Sequence, residues 1–303
     1  MCIMNTKQFC NIVEIRTKSI SMVTFLCGSI YAYFATGLWS WKIGLLMALS
    51  VLFVDMGTTG FNTYFDFLNG TDRAKTNKEK DKVLVHEGIE PISALLVSLG
   101  LFMLSGVLGL FLAYYTSWKL LVVGFVCMVV GFTYTGGPFP ISRTPFGEVF
   151  AGGFLGSVLF MLSYYVQTKS IDRQVFLVSM PFLFLVALIL TINNTCDFAS
   201  DKNSGRKTLS IVLGKKKSLW LPYLEFGIAF LLATILLVKG IYPLWVLPFL
   251  FIAFMLSLRE MKMLYARGFS PETKSVSMAS IAKLYVLFGL AFFFGHLVSL
   301  VTG

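Results

Sequence analysis

The sequence predicts an all-α, polytopic membrane protein with about nine transmembrane helices around a central cavity. Three observations carry that expectation. Hydrophobic residues make up 56% of the 303 and charged residues only 13%, with a mean hydropathy of +0.78, whereas a soluble domain has about 25% charged residues. Long apolar runs recur along the whole chain, separated by polar links. Two of those runs end in clusters of acids and amides: Asn62-Thr-Tyr-Phe-Asp66-Phe-Leu-Asn69-Gly70-Thr-Asp72, and Asn193-Asn194-Thr-Cys-Asp197-Phe-Ala-Ser-Asp201.

Taken in order, the apolar stretches lie near 19–38, 43–67, 92–115, 119–135, 146–167, 175–197, 218–238, 243–258 and 281–301. At about 1.5 Å of rise per residue, each is roughly long enough for a hydrocarbon layer about 30 Å thick. Gly and Pro break several of them, which is tolerated where neighbouring helices satisfy the freed backbone groups. The start of the ninth stretch and the division between the seventh and eighth are the least defined boundaries. Residues 5–18, with Lys7, Arg16 and Lys18, read as a short interfacial segment.

Basic residues set the orientation. With the N-terminus in the cytoplasm, only Lys42, Lys119, Lys169, Arg173 and Lys239 of the 25 Lys and Arg residues fall outside. The C-terminus is then outside, and the protein is expected as a multi-pass component of the cell (plasma) membrane. The net charge of +10 follows from this topology, so no nucleic-acid partner is expected and the lipid bilayer is the surrounding phase. The five cysteines form no Cys-x-x-Cys pair and sit mostly in apolar runs, as packed free thiols do.

In this topology the second and sixth helices run the same way, so both acidic clusters emerge on the cytoplasmic face. The Asn-x-x-x-Asp pattern recurs at matched positions. It suggests one domain, 1–303, built as a pseudo-repeat of 19–135 and 146–258 plus a ninth helix, 281–301.

Asn193, Asp197 and Asp201 stand at i, i+4 and i+8, and Asn62 and Asp66 at i and i+4, so a helix stacks each set along one face. Asp72 follows Gly70, a helix-ending residue. Stacked carboxylates repel one another unless a cation sits between them. Hard oxygen ligands without His or Cys favour Mg²⁺, which is held by a few carboxylates together with substrate phosphates. Arg206, Lys207 and Lys75 trail the two clusters and suit a diphosphate. A solvated, acid-capped helix end is the plainer reading, disfavoured because the pattern occurs twice. Tyr134-Thr-Gly-Gly-Pro-Phe-Pro140 forms a tight link between the fourth and fifth helices, where a ligand or another backbone approaches.

Together, Asn62-x3-Asp66-x5-Asp72, the Tyr134-Thr-Gly-Gly-Pro stretch and Asn193-Asn-x-x-Asp197-x3-Asp201 with Gly205-Arg-Lys-Thr resemble the UbiA superfamily of intramembrane prenyltransferases. The likeness is nearest to the branch acting on 1,4-dihydroxy-2-naphthoate in menaquinone biosynthesis, and it covers most of the chain. The resemblance implies a helical bundle whose acidic motifs bind Mg²⁺ and a polyprenyl diphosphate. Matched by position, Asn62, Asp66 and Asp72 would hold one metal, and Asp197 and Asp201 the second. Asn193 and Asn194 would assist with the diphosphate, and Tyr134 would position an aromatic acceptor. The implied reaction transfers the polyprenyl group to the acceptor with loss of CO₂, giving a demethylmenaquinone precursor. The first motif reads Asn-Thr-Tyr-Phe where many relatives have Asn-Asp-Tyr, and it lacks the Asp-Arg-x-x-Asp form of the 4-hydroxybenzoate branch. Glu148 fits the family's continuation after the Gly-Gly-Pro link without an evident role. Haem, lipid or 4-hydroxybenzoate acceptors, and a cation-coupled transporter, are the competing readings.

Overall fold

The computed structural model describes residues 4–71 and 82–302. It is 81% helical, with no strand among the described residues. After α1 (Thr6–Ile12) come α2 (Ser19–Thr36), α3 (Trp41–Leu68), α4 (Pro91–Tyr115) and α5 (Lys119–Thr133). They are followed by α6 (Gly147–Thr168), α7 (Arg173–Cys196), α8 (Leu221–Val238), α9 (Val246–Arg267) and α10 (Lys274–Thr302).

Each of the nine expected stretches falls on one of the helices α2 to α10. Among the described residues, seven helical segments are long and apolar enough to cross a membrane. The other two differ for visible reasons: α5 has only 15 residues, and α9 carries Arg259, Glu260, Lys262 and Arg267. The last helix begins at Lys274 rather than at 281, because Ser277 and Ser280 turn inward and let the helical face extend through a polar stretch.

Local chemistry sets the ends. Pro91 opens α4 at its first turn, where no amide is needed. Asp172 accepts from the Val175 amide at 2.9 Å and caps α7. Past α3, Gly70 adopts φ 66° and turns the chain, as its position predicts.

α3 lies along α4, α2 along α6, α7 along α8 and α9 along α10, while α10 closes back onto α2. The largest core joins α2, α6, α7, α8 and α10 through Tyr31, Phe160, Phe182, Phe230, Phe288 and Phe292. Small residues allow the closest approaches, as in membrane bundles generally. In the middle of α6 the chain widens into π-helical turns over Gly152–Val158, and Gly156 faces the α7 backbone there.

The segment before α2 differs from the surface segment expected for residues 5–18. α1 carries a capping box between Asn5 and Gln8. Ile12 and Val13 are fully buried in a second core with Met56, Val83, Leu84, Ala94 and Leu101. Thr63 Oγ1 donates to the Ile12 carbonyl at 3.0 Å. At Glu14 the backbone turns through φ 46° and carries Lys18 to the interior. The apolar run Phe9-Cys-Asn-Ile-Val thus has a partner on α3, which its short length concealed.

The α6–α7 contact yields a prediction. A Cβ at Gly156 would sit 2.6 Å from Leu183 Cα, whereas Gly153 faces open space. Gly156→Val should therefore lower the thermal midpoint in detergent, at a cost of about 1–3 kcal/mol. Gly153→Ala should unfold within a degree or so of the wild type, since a surface change is worth only about 0.5 kcal/mol.

Candidate active site

The last turn of α3, the link after α5 and the end of α7 meet at one end of the bundle. Asp197 follows the last residue of α7, and the short helix Phe198–Asn203 continues its hydrogen bonding: Asp197 N–H donates to Asn193 O at 3.1 Å, and Asp201 N–H to Asp197 O at 2.8 Å. The i, i+4, i+8 stacking predicted for this cluster is therefore present.

Arg206 ties the parts together. Its Nη1 donates to Asp201 Oδ1 at 2.9 Å and its Nη2 to the Ser142 carbonyl at 2.9 Å. Arg143 reaches the other way, from Nη2 to Ser204 O at 2.6 Å, and the Lys207 amide donates to Arg143 O at 2.9 Å. Burial works against the Arg206 charge, yet Asp201, Asp66, Tyr134 and Asp197 outweigh it and raise its pKa. Acids from both halves of the sequence thus bear on one guanidinium. Asp197 Oδ2 receives a hydrogen bond from Lys274 Nζ, at the start of α10, at 2.8 Å.

Asp201 is 2% exposed, and its Oδ2 has no partner. Burial pushes its pKa up to about 6 and Asp197 adds to the rise, against Arg206 and Lys274. Tyr134, at the end of α5, has its hydroxyl pushed above the usual phenol range by burial first, then by Glu148 and Asp66. Asn62 Oδ1 accepts from Thr135 Oγ1 at 2.7 Å. Asn194 Nδ2 donates to Glu148 Oε1 at 2.8 Å, deep beside α7.

Below this charged end lies a cavity of about 520 Å³. Asn62, Asn193 and Tyr134 line its upper part; Asp66 and Asp197 stand one helical turn further up α3 and α7 and are not in its lining. The rest is mostly apolar, with Val51, Leu112, Phe125, Val158 and Leu162, broken by the charged Glu14, Lys18 and Asp55 and by several Ser and Thr hydroxyls.

Most of the predicted site residues come together: Asn62, Asp66, Tyr134, Asn193, Asp197, Asp201 and Arg206. Two do not reach the cavity or the carboxylates with their side chains. Asn194 points to Glu148; Lys207 is exposed, its backbone amide bonded to Arg143. Asp72 and Lys75 lie outside the described residues. Among the described residues no three acids, His or Cys converge on a single point as a metal ligand set. The oxygen donors nevertheless suit a hard cation, and the unpartnered Asp201 Oδ2 is an available ligand atom.

Lys274 and Glu148 were not singled out from the sequence as site residues. Lys274 reads there as one more basic loop residue, while Glu148 carries only its position after the Gly-Gly-Pro link.

A charged head over an apolar hollow has the polarity of an amphiphile, the geometry of a membrane-embedded transferase. The chain belongs to the UbiA prenyltransferase family, whose model matches residues 21–287, and it is a multi-pass membrane prenyltransferase. It is 33% identical to the 1,4-dihydroxy-2-naphthoate octaprenyltransferase of Bacillus subtilis over 93% of this chain and 90% of that protein. It is 30% identical to UbiA prenyltransferase domain-containing protein 1 of Rattus norvegicus over 91% of this chain and 79% of that one. A solved digeranylgeranylglyceryl phosphate synthase shares the fold with a TM-score of 0.66 at 20% identity, covering 96% of this chain and 98% of that one. A UbiA homologue from Archaeoglobus fulgidus, solved with GPP and Mg²⁺, gives a TM-score of 0.66 at 16% identity, covering 94% and 99%.

The Arg206 contacts and the Asp201 titration give a second prediction. Arg206→Ala leaves Asp201 buried beside Asp197 without its cation and should destabilise the protein by about 3–5 kcal/mol, read by thermal unfolding. Because the folded pKa of Asp201 lies above its ordinary 3.8, folding takes up a proton between about pH 4 and pH 6. The Asp201 contribution to stability therefore falls as pH rises through that window. Melts of wild type and Asp201→Asn at pH 4.5 and 6.5 should differ by that slope.

Proposed function

We propose that the protein transfers a polyprenyl group, in a Mg²⁺-dependent reaction, from an allylic polyprenyl diphosphate to 1,4-dihydroxy-2-naphthoate. The product would be the reduced, quinol form of demethylmenaquinone, because exchanging the carboxyl for the prenyl group leaves both ring hydroxyls in place; it lies on the menaquinone pathway. The observation that carries the reading is the convergence of Asp66, Asp197 and Asp201 on Arg206 above an apolar cavity. The choice of acceptor is supported by the similarity to the Bacillus subtilis enzyme, and that of Mg²⁺ and diphosphate by the acid-rich chemistry of the site and by the Archaeoglobus fulgidus structure.

In this reading Asn62, Asp66, Asp197 and Asp201, with Asp72, hold Mg²⁺ and the diphosphate. When bound, the metal supplies positive charge to the departing diphosphate oxygens. Arg206 keeps Asp201 in place, and its buried, unpartnered Nε is a donor left for a phosphate oxygen. Asn193 and Lys75 complete the diphosphate contacts, while Asn194 stays on Glu148 and Lys207 faces solvent. The allylic C–O bond breaks with its electrons passing to the diphosphate, and the apolar walls keep water from the allylic cation. Tyr134 positions the aromatic ring, whose carbon forms the new C–C bond while the carboxyl leaves as CO₂. The tail lies along the apolar lining.

The topology belongs to the same proposal: nine spans, the N-terminus and the charged end of the bundle in the cytoplasm, the C-terminus outside, in the plasma membrane. So does the pseudo-repeat of 19–135 and 146–258. Tyr134 and Asn193, from opposite halves, line one cavity, as paired half-sites require.

Membranes supplied with a radiolabelled prenyl diphosphate, Mg²⁺ and a panel of aromatic acceptors test the reading. Product should form with 1,4-dihydroxy-2-naphthoate, stop with EDTA and return on Mg²⁺ addition. Asp66→Ala and Asp197→Ala should each lower turnover by at least about a hundredfold, the scale of losing one electrostatic stabiliser. Full turnover in both variants would sink the site assignment.

A further inference from the structure

A second polar level lies deeper in the cavity, and the diphosphate chemistry does not use it. Asp55, Thr59, Asn62 and Asp66 stand at i, i+4, i+7 and i+11 on α3, so they share one face. By the helical rise, Asp55 sits about 10 Å below Asn62 and about 16 Å below Asp66. Lys18 is 4% exposed there. Its ammonium donates to Asp55 Oδ1 at 2.8 Å, to the Asp55 carbonyl at 3.3 Å and to Thr59 Oγ1. Ser21 Oγ donates to Asp55 Oδ2 at 2.6 Å. Both Lys18 and Asp55 line the cavity.

The hydrogen-bond inventory gives this level a direction. All three donors of the Lys18 ammonium are engaged within the protein. A carboxylate offers about four lone-pair sites, and the side chain of Asp55 receives two donors, so its spare capacity is for accepting. A partner at this level must therefore bring a donor. A buried ion pair contributes less to stability than apolar packing of the same volume. A pair whose sole task was to join the start of α2 to α3 gains nothing from lining a cavity, where Glu14 and several hydroxyls also stand.

We propose that Asp55, paired with and oriented by Lys18, accepts a hydrogen bond from a hydroxyl of the aromatic acceptor, making this the acceptor-binding end of the cavity. The assignment rests on the prenyl-transfer reading. With the diphosphate among the upper acids, the ring occupies the space between Tyr134 and Asp55, both of which line the cavity. The carboxylate draws the hydroxyl proton towards itself without removing it, which raises the electron density of the ring carbon to be alkylated. Lys18 acts through Asp55 and is a positioning residue.

The test compares steady-state kinetics of wild type and Asp55→Asn with geranyl diphosphate and either 1,4-dihydroxy-2-naphthoate or its mono-O-methyl ethers. Asp55→Asn should raise the KM for the hydroxylated acceptor about ten- to a hundredfold, as loss of a charge-assisted hydrogen bond does, and leave that for geranyl diphosphate within about threefold. It should also shrink the wild-type preference for the free hydroxyl over the methyl ether. Lys18→Met should reproduce the acceptor effect, and Lys18→Arg should restore most of it. If the single variants fail to fold, Lys18→Met/Asp55→Leu removes both charges together and should show the same selective rise. An unchanged acceptor KM, an equal rise in both KM values, or an undiminished preference for the free hydroxyl overturns this assignment alone. Absence of product from the wild-type protein with every hydroxylated aromatic overturns the prenyl-transfer reading and this assignment with it.

Discussion

The site depends on one buried guanidinium. The charge of Arg206 is favoured jointly by Asp66 near the end of α3, Tyr134 at the end of α5, and Asp197 and Asp201 after α7. Without it the second acidic cluster would hold two carboxylates at close range in a poorly solvated place, an arrangement that proteins keep only with a compensating cation. Its second contact, to the Ser142 carbonyl, fixes the link after α5 against the loop after Asp201. Arg143 makes the reciprocal contact to Ser204. Two crossed arginines therefore position the polar end, while packing of α6 against α7 holds the apolar wall below it.

The second acidic cluster was legible because its chemistry and its helical spacing coincide: acids and amides four residues apart can only be stacked on one face. Arg206 was legible from its nearness to Asp201. Lys274 was not, because a lysine in a polar loop looks the same whether it neutralises Asp197 or only reports topology. Asp55 was hidden differently. It stands inside an apolar run and was absorbed into the span 43–67, although its register with Thr59, Asn62 and Asp66 was on view. The burial of Ile12 and Val13 was out of reach, since α1 is too short for periodicity to reveal an inward face.

The helix inventory has the same pattern. Segments with strong, unbroken hydropathy appear where expected. Those whose limits depend on tertiary contacts do not: α10 extends through a serine-rich turn because those serines face inward, and α9 runs on as a charged helix beyond 258, the end expected from its apolar run.

The π-helical turns of α6 have a consequence for how the two ends of that helix relate. One extra residue accommodated in a wide turn rotates everything beyond it by about 100° relative to a regular helix. Glu148, before the wide turns, faces Asn194, while Phe160 and Ser163, after them, face α2 and the aromatic core. The two ends of α6 are thereby set in phase independently. The wide turns let the polar end aim Glu148 at Asn194 while the interlocked rings at the other end keep their own register.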